Sequence, residues 1–154
     1  MLLFDSPSRR QIDTALAVLR VVLGVTFILH GGQKLFVFGF AGVSGAFGQM
    51  GVPLPGLMGP FIALLEFFGG IALVIGLLTR LASLGLTFNM LGAIALVHLK
   101  AGFFNPAGVE FPLALAGITA SLVLAGAGAY SLDAVIAGRR RSEVRPVAEL
   151  RKAA

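Results

Sequence analysis

Residues 57–99 read LMGPFIALLEFFGGIALVIGLLTRLASLGLTFNMLGAIALVHL, and this stretch decides the fold. Glu66 and Arg80 are its formally charged side chains, and most of the others are apolar. Arg80 divides the stretch into two runs, each close to the ~20 apolar residues that a helix needs to cross a bilayer. The pattern therefore predicts two antiparallel transmembrane helices joined by a short turn.

Apolar runs of similar length lie on both sides of this hairpin. The sequence predicts an all-α integral membrane four-helix bundle, one membrane domain over residues 15–135. The expected spans are about residues 15–38, 57–78, 81–99 and 111–129, with a lead-in at 1–14 and a basic tail at 136–154. The composition agrees, because 57% hydrophobic and 12% charged residues with a mean hydropathy of +0.95 are not typical of a small soluble domain.

The basic residues predict the orientation. They lie in the lead-in, at Arg80 and in the tail, whereas the loops 39–56 and 100–110 carry almost no net charge. Both termini are therefore expected in the cytoplasm, in a multi-pass protein of the cytoplasmic (inner) membrane. The formal net charge of +5 is assigned to contact with anionic lipid headgroups, and nucleic acid is set aside. Loop 39–56 is expected to hold either a short outer helix from Ser44 to about Met50 or a plain flexible connection.

The absence of cysteine excludes several kinds of chemistry. Disulfides, thiolate nucleophiles and cysteine-ligated iron–sulfur clusters all need a residue that the chain lacks. A haem held by His30 and His98 is disfavoured because the two histidines lie at different depths in their spans. The histidines also form no compact metal-ligand pattern, so no metal site is predicted.

Ionisable residues inside the predicted spans are the candidates for function, because charge in hydrocarbon is costly and is usually functional. At a rise of about 1.5 Å per residue, His30 and Glu66 reach a similar depth, and Lys34 lies one turn from His30. We expect Glu66 to face inward and to pair with Lys34, with His30 or with another cation. The candidates for ligand binding or proton handling, in the outer half of the bundle, are His30, Lys34, Glu66 and His98, with Gln33, Asn89 and Glu110 as secondary polar candidates. The alternative is a buried ion pair that only fixes the register of the helices.

Structural roles are predicted for a second group of residues. Two glycine pairs are expected to permit close helix packing beside the polar cluster: Gly31, Gly32, Gly69 and Gly70. Arg20, in the inner half of span one, is expected to form a structural ion pair with Asp133, just beyond span four.

Four runs of the chain carry a resemblance to a known family. They are RVVLGVTFILHGGQKL at 20–35, MGVPLPG at 50–56, EFFGGIALVIGLLTRLAS at 66–83 and GAGAYSLD at 126–133. Together they resemble the DoxX family of small four-helix bacterial membrane proteins, over about residues 15–135. The family pattern falls on Arg20, His30, Lys34, Glu66, Arg80 and Asp133.

The resemblance implies a redox role, since family members are associated with oxidoreductase assemblies, including the small subunit of thiosulfate:quinone oxidoreductase. We expect a membrane subunit of such a complex rather than a self-sufficient enzyme. His30 and Glu66 would hydrogen-bond or exchange protons with quinone, and Lys34 would stabilise negative charge. The expected partners are the lipid bilayer, a peripheral or membrane redox protein, or further copies of this chain. The alternatives are a non-catalytic membrane anchor or scaffold for a partner protein and, third, a small transporter.

Overall fold

The computed structural model describes residues 5–138, and these residues fold into helices without any strand. The α-helices are α1 Arg9–Gly32, α2 Gly39–Gln49, α3 Pro55–Ile75, α4 Thr79–Ala93 and α5 Glu110–Ala125. After α5, residues 132–138 are helical again. Most of the predicted basic tail lies outside the described residues.

α1 is followed by π-helical turns, Gln33–Phe38, which end where the first predicted span ends. Gly39 has a positive φ of 66° at the start of α2, and the helical segments follow one another without a gap from Arg9 to Gln49, over 41 residues. The expected short helix is present as α2, but it starts earlier than Ser44. The Ser44 hydroxyl does not cap α2 and instead donates to the Phe40 carbonyl at 2.7 Å within the helix.

The bundle consists of α1, α3, α4 and α5, and α2 packs against α3. α1 packs mainly on α3 and α4 mainly on α5, while contacts of α3 with α4 and of α1 with α5 close the bundle. The interior is mainly apolar, and its most deeply buried large apolar side chains are Leu23, Phe27, Leu73, Leu86 and Leu122.

The outer surface of the bundle is apolar as well. Phe68 is 58% exposed and Leu124 is 81% exposed, and many other large apolar side chains also face outward. An apolar surface around an apolar core suits lipid rather than water. Within residues 5–138, the helical segments long and apolar enough to cross a membrane are Arg9–Gln49, Pro55–Ile75 and Thr79–Ala101. The fourth predicted span corresponds to α5, which is apolar but has only 16 residues.

Gly24 and Gly70 mark a close approach of α1 and α3. A Cβ atom on Gly24 would lie 2.6 Å from the Gly70 carbonyl oxygen, and one on Gly70 would lie 2.7 Å from the Gly24 carbonyl oxygen. Gly31 belongs to the same contact, because a Cβ there would lie 2.4 Å from a backbone nitrogen of α3. Gly69 faces a leucine of α4 instead, and Gly32 makes only ordinary contacts. The predicted role in close packing thus holds for Gly31 and Gly70, and Gly24 joins them.

Arg20 and Asp133 do not form the predicted direct ion pair. The Arg20 guanidinium is 1% exposed and donates to the carbonyl oxygens of Leu73 at 2.9 Å and Tyr130 at 2.5 Å. The Asp133 carboxylate accepts from two backbone N–H groups at the start of α4, at 2.8 and 2.9 Å. The direct contact is absent because the Arg20 guanidinium binds carbonyl oxygens at the end of α3 and after α5, while the Asp133 carboxylate binds N–H groups that the start of α4 leaves unpaired.

Candidate functional site

Lys34, Glu66 and Asn89 meet inside the bundle. The Lys34 ammonium forms an ion pair with Glu66 Oε2, and Asn89 Nδ2 donates to Glu66 Oε1 at 3.0 Å. The Glu66 side chain is 5% exposed and the Lys34 side chain 20% exposed. Each carboxylate oxygen therefore has a donor, which offsets the cost of placing the charge away from water. Of the partners that the sequence allowed for Glu66, which were Lys34, His30 or another cation, Lys34 forms the ion pair.

Two π-helical segments carry polar residues at this end of the bundle. Lys34 lies in the first, Gln33–Phe38, and His98 ends the second, Ile94–His98. π-helical turns are rare and occur mostly as local insertions in α-helices, frequently at functional sites. Their positions next to the ion pair therefore single out this end of the bundle as the candidate site.

A cavity of about 360 Å³ lies beside the ion pair. Its polar and ionisable lining residues are His30, Lys34, Glu66, Asn89 and His98. The remaining lining is mostly apolar and aromatic and includes Phe27, Phe47, Met90, Phe111 and Leu115. Small-molecule sites typically have volumes of ~300–1,000 Å³ and combine apolar walls with a few polar groups, so the cavity has the size and lining of such a site.

Both histidines are held by a backbone carbonyl. His30 Nδ1 lies 2.9 Å from the Thr26 carbonyl oxygen, and His98 Nδ1 lies 2.7 Å from the Ala107 carbonyl oxygen. A carbonyl oxygen only accepts, so Nδ1 carries the hydrogen in each ring. The Nε2 atom of each neutral imidazole is then an acceptor, with its tautomer fixed by the backbone.

The three secondary polar candidates lie at different places in the structure. Asn89 contacts Glu66 directly, whereas Gln33 is exposed and does not line the cavity. Glu110 also lies outside the lining, and its Oε1 accepts from the Asn105 backbone N–H at 3.1 Å. Glu110 therefore stabilises the loop before α5 and takes no part in the cavity lining.

Sequence reasoning did not identify the aromatic walls of the cavity. Phe111 lies against His30 with ring centroids 6.0 Å apart, and Phe47 reaches the cavity from α2. Each is one of 13 phenylalanines in an apolar chain, so no pattern distinguishes them from lipid-facing residues.

The chemistry of the cavity favours an organic ligand with oxygen atoms. The Lys34 ammonium supplies N–H donors, and the two imidazoles supply acceptors. Among residues 5–138, no group of three or more histidine, aspartate or glutamate side chains is arranged to hold a metal ion. A ligand with carbonyl or hydroxyl groups would match these donors and acceptors.

These features define a helical membrane protein with a charge-paired cavity between its helices. The chain belongs to the DoxX family, whose family profile matches residues 15–99. The match contains three of the four sequence runs, those at 20–35, 50–56 and 66–83, and confirms the resemblance to the family.

Relatives from several bacteria match most of the chain. It is 33% identical to the Bacillus subtilis protein named "Putative oxidoreductase CatD" over 139 residues, 88% of this chain and 97% of that protein. It is 34% identical to the inner membrane protein YqjF of Escherichia coli over 125 residues, 80% of this chain and 93% of YqjF. An uncharacterized protein of Haemophilus influenzae is 35% identical over 122 residues, 77% of this chain and 87% of that protein. No solved structure gives a significant match.

Proposed function

We propose that this chain is a membrane subunit of a bacterial redox complex and binds a quinone in the cavity beside Lys34 and Glu66. One observation carries the proposal: the Lys34 donor and the His30 and His98 rings line the same cavity of about 360 Å³. The oxygens of a quinone accept hydrogen bonds in the oxidised form, and those of a quinol also donate them. A site that serves both forms therefore needs donors and acceptors around one ring.

The polar residues of the cavity would have different roles in binding the quinone. The Lys34 ammonium has three N–H groups, and the two not directed to Glu66 would donate to a quinone carbonyl. Nε2 of His98 or His30 would accept from a quinol hydroxyl. Glu66 already has a donor on each oxygen, so it acts as a positioning residue that holds Lys34 and Asn89.

Oxidation of a quinol in this cavity requires a redox partner protein that accepts the electrons. Oxidation of a quinol to a quinone releases two electrons and two protons. The imidazoles of His30 and His98 would take up protons at Nε2, and the electrons would pass to a redox partner protein. A relative from Bacillus subtilis carries the name "Putative oxidoreductase CatD". This name supports a redox role for the chain.

The proposed subunit crosses the membrane four times. α1, α3, α4 and α5 would each span the membrane, with both termini in the cytoplasm. The arginines of the lead-in and Arg80 support this orientation through the positive-inside rule. The cavity would then lie in the outer half of the bilayer.

The test is direct binding of decylubiquinone to the purified protein in lipid nanodiscs, by titration calorimetry. We expect Lys34→Met to raise the Kd at least about tenfold, because a hydrogen bond from a charged group contributes ~1.5–3 kcal/mol. The matched control is Lys100→Met, since Lys100 is exposed and lies outside the cavity lining. A folded Lys34→Met protein with the wild-type Kd would overturn the proposal.

A second candidate function is a scaffold for a partner protein. It is favoured by the complete pairing of Glu66 within the chain, because such a pair can serve helix register without any ligand. In that case decylubiquinone would not bind the wild type, while a partner would co-purify with Lys34→Met and wild type alike.

A further inference from the structure

A second cavity, which we name the α3–α4 groove, lies between α3 and α4 and has a volume of about 430 Å³. Its lining includes Phe61, Leu65, Gly85, Phe88 and Leu96, and Asn89 is its polar side chain. Phe61 is 53% exposed, Phe88 66% and Leu96 44%. Exposed aromatic and aliphatic side chains beside the groove place it on the apolar surface of the bundle, which faces lipid in a membrane.

The groove and the polar cavity share part of their walls. Residues that line both are Phe47, Ile62, Asn89, Ala93 and Val97. The polar cavity and the groove therefore adjoin each other along these shared residues. Asn89 stands at this boundary, and its Nδ2 donates to Glu66 on the cavity side.

We infer that the α3–α4 groove receives the apolar tail of the quinone whose ring occupies the polar cavity, so that the ligand enters sideways from the bilayer. This inference rests on the proposed quinone site and adds the route and the class of ligand, a quinone with a hydrocarbon chain. The two lining chemistries match the two halves of such a molecule: charged and hydrogen-bonding groups for the ring, and apolar groups for the tail.

Glycine keeps the groove open on the α4 side. Gly92 lines the groove, and a Cβ atom there would meet no atom within 4 Å, so the space beside this position is open. Gly92 does not line the polar cavity. A larger residue at this position would therefore block the path of the tail without touching the ring site.

The tail is expected to affect quinone binding mainly because it needs free space in the groove, and not because the groove adds affinity. Lipid chains are as apolar as the groove, so moving a tail from lipid to groove changes little hydrophobic free energy. When Kd values are expressed per lipid, the wild type should bind tailed and tailless quinones with similar affinity. Blocking the groove should then penalise only the tailed molecule.

The experiment compares decylubiquinone with 2,3-dimethoxy-5-methyl-1,4-benzoquinone, which is the same ring without the chain, in nanodiscs. We expect Gly92→Leu to raise the Kd of decylubiquinone at least about tenfold and to leave the Kd of the tailless ring unchanged. Gly117→Leu is the matched control, because a Cβ atom on Gly117 of α5 also meets nothing within 4 Å and Gly117 lines neither cavity.

The outcomes separate the two proposals. If Gly92→Leu binds both quinones as the wild type does, or weakens both equally, the tail assignment is overturned while the ring site stands. If the wild type binds neither quinone, the quinone site itself is overturned and the tail assignment with it.

Discussion

Asn89 of α4 donates from Nδ2 to Glu66 Oε1 of α3 across 3.0 Å, and Lys34 forms an ion pair with the other Glu66 oxygen. One carboxylate thus joins three separate segments of the chain. In a low-dielectric interior such a network is stable when every member has a partner and costly when one is removed. Several expected results follow from this arrangement and from the contacts at the opposite end of the bundle.

The Lys34–Glu66 pair can be tested with a double-mutant cycle. We expect Lys34→Met alone to lower the free energy of unfolding by about 2 kcal/mol, because it leaves the Glu66 carboxylate without its cation. That is below the ~3–5 kcal/mol of a fully buried pair because the Lys34 side chain is 20% exposed. The double variant Lys34→Met/Glu66→Gln should recover most of the loss, since a neutral amide needs no cation. The measurement is unfolding in mixed micelles followed by circular dichroism.

This cycle also separates stability from binding. The double variant should be stable yet should not regain affinity for decylubiquinone, because the Lys34 donor is still missing. Recovered binding in the double variant would show that the pair serves only to position helices.

Close packing of α1 on α3 depends on Gly70. Gly70→Ala should lower the free energy of unfolding by ~1–3 kcal/mol, since its Cβ atom would lie 2.7 Å from the Gly24 carbonyl oxygen. Gly117→Ala should be neutral or stabilising, because nothing lies within 4 Å of the added carbon. Equal effects of the two substitutions on thermal unfolding would contradict this packing.

Asp133 holds the turn between α3 and α4. Leu78 in this turn has a left-handed φ of 49°, and Asp133 accepts from the Leu78 N–H at 2.8 Å. We expect Asp133→Ala to cost ~1–2 kcal/mol of stability, as loss of a helix cap does. Asp133→Asn keeps one side-chain acceptor and should cost less. The ranking of the melting temperatures, wild type above Asn above Ala, is the result to be checked.

Arg20 ties α1 to the end of α3 and to the segment after α5. Arg20→Met should lower the free energy of unfolding by about 3 kcal/mol, because buried carbonyl oxygens would lose charged donors. Arg80→Met provides the matched control: Arg80 is exposed and donates to the Leu124 carbonyl at 3.2 Å, so its loss should cost under about 1 kcal/mol. Similar losses for both arginines in denaturant titrations would argue against a special role for Arg20.

Parts of the candidate site could be predicted from the sequence alone. The rise per residue places His30 and Glu66 at a similar depth and Lys34 one turn from His30, and an isolated charge in hydrocarbon is too costly to remain unpaired. These facts predict that Glu66 pairs with a nearby cation, and the structure contains the pair with Lys34. The same reasoning did not give the contacts of Arg20 and Asp133, because depth along a helix does not show that backbone carbonyl and N–H groups bind these side chains in place of the opposite charge.

The sequence by itself determined that the chain is an apolar helical membrane protein and which residues are polar within it. Hydropathy and helix length are properties of one segment at a time, and lipid admits only helices whose backbone groups bond internally. The tertiary structure decided which polar residues meet. It brought Asn89 to Glu66, both histidines to one cavity and Gly92 to a neighbouring groove. These relations depend on helix rotation, π-helical turns and side-chain reach, which are set by packing between segments distant in sequence.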